Sequence, residues 1–248
     1  MIVTLNEVQR TCQKAMSSAG APAGVDDDAA MAAAWLEGRG LPALGAVAAA
    51  LDRWAGDASA MELAELPPED GARRFDAGGR SALFVGGGLI DLAVAMAAET
   101  TAVSGVEVAG VTDPQFFVPP AVVCARRDRT LRLSWRRPDG APHAGARVGP
   151  DSGTALLGDW RNAAPGGPFQ VSIQCAQASG GQAGSGQAPG ALPTMLRQAD
   201  LDARLAEALA AGLSVDEGVW TRLSAYAVRT LVPSSPESRA RGAGPAAG

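Results

Sequence analysis

Residues 81–111 read SALFVGGGLIDLAVAMAAETTAVSGVEVAGV, and the fold turns on how this stretch is parsed. Ser81 to Val85 reads as a short strand, Gly86-Gly87-Gly88 as a turn, and Leu89 to about Ala102 as a helix. Val106 to Val111 then reads as a buried strand. Strand, turn, helix and second strand are the unit of a layered α/β protein. A glycine turn before a helix presents free N–H groups to an anion. The dinucleotide fingerprint, however, wants a glycine where Asp91 stands, and a carboxylate there repels phosphate, so the expectation is a structural turn. The apolar run from Leu83 to Ala98 is cut by three glycines and Asp91, so no membrane span is expected.

Upstream, Thr4-Leu5-Asn6-Glu7 is a capping box that opens a helix carrying Leu5, Val8, Cys12 and Met16 on one face. Asp26, Asp27 and Asp28 open a second helix, where the dipole favours negative charge. Pro42 opens a third, with Leu44, Val47, Leu51 and Trp54 on one side. Residues 56–80 are polar and irregular. Downstream, Pro119 and Pro120 start a short helix. Leu131, Leu133 and Trp135 alternate with arginine and serine as a half-buried strand.

Residues 138–168 look loop-rich, with one strand near Thr154 to Leu157, and Phe169 to Cys175 alternates as another. The segment from Gln177 to Gly190, QASGGQAGSGQAPG, has the composition of a flexible linker. A long helix is expected from Pro193 to Ala211. Ser214 to Glu217 forms a second capping box, opening a last helix with Trp220 and Leu223.

The expected fold is therefore α/β: an N-terminal three-helix unit, a central mixed sheet with helices, and C-terminal helices. The segments are 1–55 (helical unit), 56–176 (central α/β region), 177–190 (linker) and 191–248 (helices and tail). The chain has 248 residues, 47% hydrophobic and 4% aromatic, so alanine, valine and leucine fill its core. A net charge of −5 gives no general attraction to nucleic acid or anionic membranes. The N-terminus shows no secretory pattern, and three scattered cysteines form no disulfide or zinc framework, which points to a bacterial cytoplasm with reduced thiols.

Residue counts exclude several chemistries. His143 is the one histidine, so a multi-histidine zinc site cannot form in one chain, and no Gly-x-Ser-x-Gly elbow supports a hydrolase triad. The histidine lies in a Pro/Gly stretch and reads as an exposed loop residue. Lys14, the one lysine, sits on the polar side of the first helix, which excludes Schiff-base and Walker chemistry. Tyr226 is the one tyrosine and lacks a following lysine. The run Arg126, Arg127, Arg129, Arg132, Arg136 and Arg137 alternates direction along a strand and reads as a solvated sheet edge.

Glu37-Gly38-Arg39-Gly40 and Gly45 resemble the N-terminal helical unit of the type-2 malate/L-lactate dehydrogenase family, which reduces keto or imino acids with a nicotinamide cofactor. That family follows with x-Asp-Ser-His-Gly, where this chain has Leu41-Pro42-Ala43-Leu44-Gly45. Its catalytic histidine thus corresponds to Leu44. A second family histidine, in Asn-Ser-x-His-Phe-Gly, corresponds to Phe116 within Asp113-Pro114-Gln115-Phe116-Phe117. The last helix resembles the family's closing helix. The chain is shorter than those enzymes, with the gap after about residue 137. The starting segment TLNEVQRTCQKA and the ending segment TLVPSSPESRARGAG more closely resemble an uncharacterised bacterial family catalogued as a domain of unknown function.

Without a histidine at either place, the resemblance implies a non-catalytic dehydrogenase-like scaffold that binds a keto, imino or amino acid, or a protein partner. The alternative is a metal-independent enzyme of amino-acid or keto-acid metabolism, with carboxylates and arginines acting in the same cleft. It would not be a nicotinamide-dependent dehydrogenase. The candidate ligand-binding residues are Arg39, Asp91, Asp113, Ser235, Glu237 and Arg239. No metal or cofactor is expected. The expected partners are a small acid or a protein, a second copy of this chain included, with no nucleic acid and no membrane.

Overall fold

The computed structural model describes residues 1–54, 56–99, 103–125, 128–150, 152–158, 160, 167–177 and 194–230. The chain enters through strand β1 (Ile2–Val3) and helix α1 (Leu5–Ser18). The capping box forms as expected: Glu7 N–H donates to Thr4 Oγ1 at 3.2 Å and Thr4 N–H to Glu7 Oε2 at 2.7 Å. Val8, Cys12, Ala15 and Met16 turn inward. Helix α2 (Val25–Glu37) opens on its three aspartates, and α3 (Leu44–Trp54) buries Leu44, Val47, Leu51 and Trp54.

The 56–80 region is not irregular. It holds a 3-10 turn and a hairpin of β2 (Ala64–Glu69) and β3 (Ala72–Asp76). Helix α4 (Ala82–Glu99) then crosses over to β4 (Ser104–Val111), which lies parallel to β3. The Ser81–Val85 strand and the glycine turn are thus overturned, since Gly86, Gly87 and Gly88 all lie inside α4. The helix is apolar nearly all round, and burial of Leu83, Phe84, Val85, Leu89 and Ile90 outweighs the roughly 1 kcal/mol helical cost of each glycine. Its length and mean hydropathy of 1.7 would suit a bilayer crossing, yet half of it is buried within the protein as the crossover of the parallel pair.

A 3-10 turn (Pro114–Phe117) and helix α5 (Val118–Ala125) lead into β5 (Arg129–Arg136), β6 (Pro142–Gly149), β7 (Gly153–Gly158) and β8 (Phe169–Gln177). Strand β6 replaces the expected loop. Gly145 lets it approach β5, because a Cβ there would sit 2.5 Å from the Leu133 carbonyl oxygen. His143 is consequently a buried strand residue, 5% exposed, stacked on Phe169 at 5.4 Å, and not an exposed loop histidine.

Strand β9 (Thr194–Arg197) precedes α6 (Gln198–Ala211), so the expected helix starts five residues late. Strand β10 (Leu213–Ser214) pairs with β1, and Asp216, not Ser214, caps the final helix α7 (Glu217–Ala227). Gln177 ends β8, and the remainder of the expected linker lies outside the described residues, as does the tail after Thr230.

Among the described residues the main sheet has eight strands in the order β2-β3-β4-β8-β5-β6-β7-β9, antiparallel except for β3/β4. Val106, Val108, Leu131, Leu133, Trp135, Val171 and Ile173 are buried along it, and α4 and α5 pack against its strands. Strand β5 is central, paired on both sides, so its arginines do not line an edge; Arg132 stands opposite Arg147 of β6 and Gln174 of β8. Arg126 and Arg127 lie outside the described residues. All three cysteines are free and buried, and burial pushes the Cys12 thiol up to about 12.

Candidate functional site

The parallel β3-α4-β4 unit is where an α/β sheet offers a ligand its strand ends and a helix N-terminus. Here those donors are spent on the chain itself. Gly78 N–H donates to Asp76 Oδ1 (2.8 Å), Gly79 N–H to Gly110 O (2.7 Å) and Arg80 N–H to Ala77 O (3.0 Å). In the first turn of α4, Ala82 N–H donates to Thr112 O (2.9 Å), Leu83 N–H to Ser81 Oγ (3.3 Å) and Phe84 N–H to Ser81 O (3.1 Å). The turn is glycine-rich because Gly78 and Gly79 take φ of 55° and 86°.

Asp113 sits beside this turn in the left-handed region, with φ of 55°. Its Oδ2 accepts the Ser81 hydroxyl at 2.7 Å and the Thr112 hydroxyl at 3.0 Å. Burial pushes its carboxyl above the usual range, and the two hydroxyls and the Arg53 charge only partly oppose that.

A cavity of about 200 Å³ opens next to Ser81, walled by Ala50, Arg53, Trp54, Asp57, Gly78–Arg80 and Phe84. Trp54 and Phe84 meet there with ring centroids 4.1 Å apart. Arg80 is committed, donating from Nε to Ser59 O (2.9 Å) and from Nη1 to Ala77 O (3.0 Å).

The other sequence candidates lie elsewhere. Arg39 is buried, stacked 4.1 Å over the Trp35 ring, with Nη1 donating to Trp35 O at 3.2 Å. Asp91 is exposed, ten residues beyond Ser81, which is about 15 Å along a helix. It accepts from the Cys124 thiol at 3.8 Å. Its charge, after burial, helps raise the carboxyl of Asp28 on α2. Asp91 and Asp113 therefore do not form an acid–base pair. Ser235, Glu237 and Arg239 lie outside the described residues. Sequence reading missed Arg53, Arg80, Ser81 and Thr112. The signal was present in Asp76-Ala77-Gly78-Gly79-Arg80-Ser81, a glycine turn ahead of the apolar run, but the Gly86–Gly88 triplet, eight residues further on, is the more conspicuous glycine signal.

The two positions matched to dehydrogenase histidines are closed. Leu44 is 3% exposed and Phe116 is 1% exposed. Glu37, ending α2, accepts the N–H groups of both Ala43 and Leu44 through Oε1 at 2.7 Å, which ties down the loop entering α3. Neither Leu44 nor Phe116 can carry a proton, so these residues do not fit a nicotinamide-linked carbonyl reduction. Among the described residues no cluster of three or more metal-ligating side chains exists.

Residues 3–76 match the family model described as Protein of unknown function (DUF3726). No curated protein sequence matches the chain. Solved structures do. A dehydrogenase from Sinorhizobium meliloti superposes with a TM-score of 0.67 at 13% identity, covering 92% of this chain and 99% of that one. Malate dehydrogenase from Entamoeba histolytica gives 0.63 at 8%, covering 94% and 99%. Delta1-piperideine-2-carboxylate reductase from Pseudomonas syringae pvar. tomato gives 0.58 at 12%, covering 91% and 99%. The chain has the fold of malate/lactate dehydrogenase-type proteins, as its α2–α3 segment and its Phe116 segment implied.

Proposed function

We propose that this protein is a non-catalytic member of the dehydrogenase-like fold that binds a small metabolite acid: a keto, imino or amino acid. The observation that carries the reading is the burial of Leu44 and Phe116 at the two places where the resemblance sets histidines. A keto-acid reduction needs a proton donor beside the carbonyl, and two closed apolar side chains supply none. That two proteins of similar fold are a malate dehydrogenase and a delta1-piperideine-2-carboxylate reductase supports an acid as the ligand class. The cavity at the end of β3/β4 is smaller than the roughly 300–1,000 Å³ of drug-sized sites, which suits a small metabolite.

A thermal-shift screen of keto, imino and amino acids at millimolar concentration, followed by calorimetric titration, tests the reading. The expected result is saturable binding of at least one acid, with no oxidation of NADH or NADPH in its presence. Turnover of a nicotinamide cofactor, or no binding across the panel, would overturn it.

One observation favours a second reading, an enzyme that moves a proton through a carboxyl group. Asp113 is half-buried, its carboxyl is raised, and it is hydrogen-bonded to Ser81 beside a cavity. Catalysis by Asp113 would appear as product formation that Asp113→Asn abolishes while binding persists.

A further inference from the structure

Strands β5 and β6 set two arginines against each other, because Arg132 and Arg147 are direct cross-strand partners. Both lie on the sheet face opposite Leu131 and Leu133, whose side chains enter the core. Across β7, β6, β5, β8 and β4 their row reads Ala155, Arg147, Arg132, Gln174 and Gly105, with no carboxylate in it. Directly opposed side chains stand about 5 Å apart at Cβ, and like charges placed so are destabilising. Burial, and after it the Arg147 charge, pulls the Arg132 guanidinium below its usual range. Arg147 is exposed and makes no ion pair among the described residues.

We infer that the Arg132–Arg147 pair is a phosphate-binding site for a small soluble phosphomonoester, separate from the cavity beside Ser81. A carboxylate neutralises one guanidinium, whereas a phosphoryl group, with nearly two negative charges and three acceptor oxygens, serves both. The next row of the sheet brings two hydroxyls, Ser134 and Ser172, beside the pair, and its carboxylate, Glu107, lies two strands from β5. A net charge of −5 repels an extended anionic surface more than a single small anion, which favours a soluble ligand. On the same face a groove of about 840 Å³ starts at Gln174 and Ser172, passes Gly105 and reaches Asp70 and Glu99. Glu69 in its wall is paired with Arg74, while Asp70, Glu99 and Glu107 make no ion pair among the described residues. The organic part of the ester therefore carries hydroxyl or ammonium groups, donors that those carboxylates accept.

Calorimetric titration of the full chain with inorganic phosphate, glycerol phosphate and phosphoethanolamine, at constant ionic strength, tests the site. Saturable binding of all three is expected, with both esters tighter than phosphate. Arg147→Gln is expected to weaken each by more than about tenfold. Its melting temperature without ligand should equal or exceed that of wild type, because the cross-strand repulsion is gone. Arg147→Lys keeps the charge without the planar fork and recovers part of the loss. Glu107→Gln weakens phosphoethanolamine and leaves inorganic phosphate unchanged. If no probe saturates wild type, or if Arg147→Gln binds as wild type does, the site is overturned. A lower melting temperature for Arg147→Gln overturns it as well, since Arg147 then serves the fold. Esters no tighter than phosphate would remove the groove from the assignment. Capture by phosphatidic acid vesicles that glycerol phosphate does not displace would overturn the soluble ester as the ligand.

Discussion

Glu37 Oε1 accepts the Leu44 N–H at 2.7 Å, joining the last residue of α2 to the first residue of α3. The same oxygen accepts Ala43 N–H, so one carboxylate caps the helix whose opening residue stands where the sequence resemblance sets a histidine. Burial raises the Glu37 carboxyl despite the two backbone bonds.

A group raised in the folded state stabilises most below its unfolded value, and that contribution is lost as pH climbs through its folded value. Glu37→Gln keeps an oxygen for both N–H groups and removes the half-buried charge. It should flatten the part of the pH–stability profile above the ordinary glutamate range and cost less than about 1 kcal/mol at pH 7. Glu37→Ala should cost about 1–3 kcal/mol, because it orphans two N–H groups. Urea melts from pH 4 to 8 check both.

The Ser81–Asp113 bond makes a parallel case. Asp113 is also raised, so its contribution too declines as pH rises above the aspartate range. Asp113→Asn tolerates the left-handed backbone and still accepts from Ser81, so its stability at pH 7 should match or slightly exceed wild type. Asp113→Ala loses both the acceptor and the tolerance, and should cost about 1–3 kcal/mol in the same melts.

Helical placement of the glycine triplet has a direct consequence. Gly87 and Gly88 have no positive φ, and an added Cβ at either would meet nothing within 4 Å. Gly87→Ala and Gly88→Ala should each raise stability by about 0.5–1 kcal/mol. A turn with positive φ would give the opposite sign, so denaturation midpoints of the two variants decide the matter.

NADH and NADPH should not bind appreciably, because the N–H groups of Gly78, Gly79, Arg80, Ala82, Leu83 and Phe84, in the β3–α4 turn and the start of α4, are bonded within the chain. A ligand at a hundred times its Kd stabilises by about 2.7 kcal/mol. A melting shift of several degrees with either cofactor at millimolar concentration would contradict this.

His143→Ala should leave acid binding within a few-fold of wild type but cost stability, about 1–3 kcal/mol, because the ring is buried against Phe169. Parallel titrations and melts separate the two effects.

The sequence by itself determined the elements whose signals are local. Thr4 and Glu7 cap α1 because a capping box needs four consecutive residues and nothing else. Leu131, Leu133 and Trp135 announce β5 because a strand buried on one face alternates with period two. Glu37-Gly38-Arg39-Gly40 pointed to the shared fold. Only the tertiary structure decided how Gly86–Gly88 behave, since burial of the apolar residues around them outweighs their poor helix propensity. It alone turned PHAGARVG into β6, where Gly145 meets a backbone oxygen that the sequence cannot show. It alone brought Ser81 to Asp113, 32 residues away, while keeping Asp91 about 15 Å down the same helix. Long-range pairing depends on which surfaces meet, and a linear pattern carries the period of each surface but not its partner.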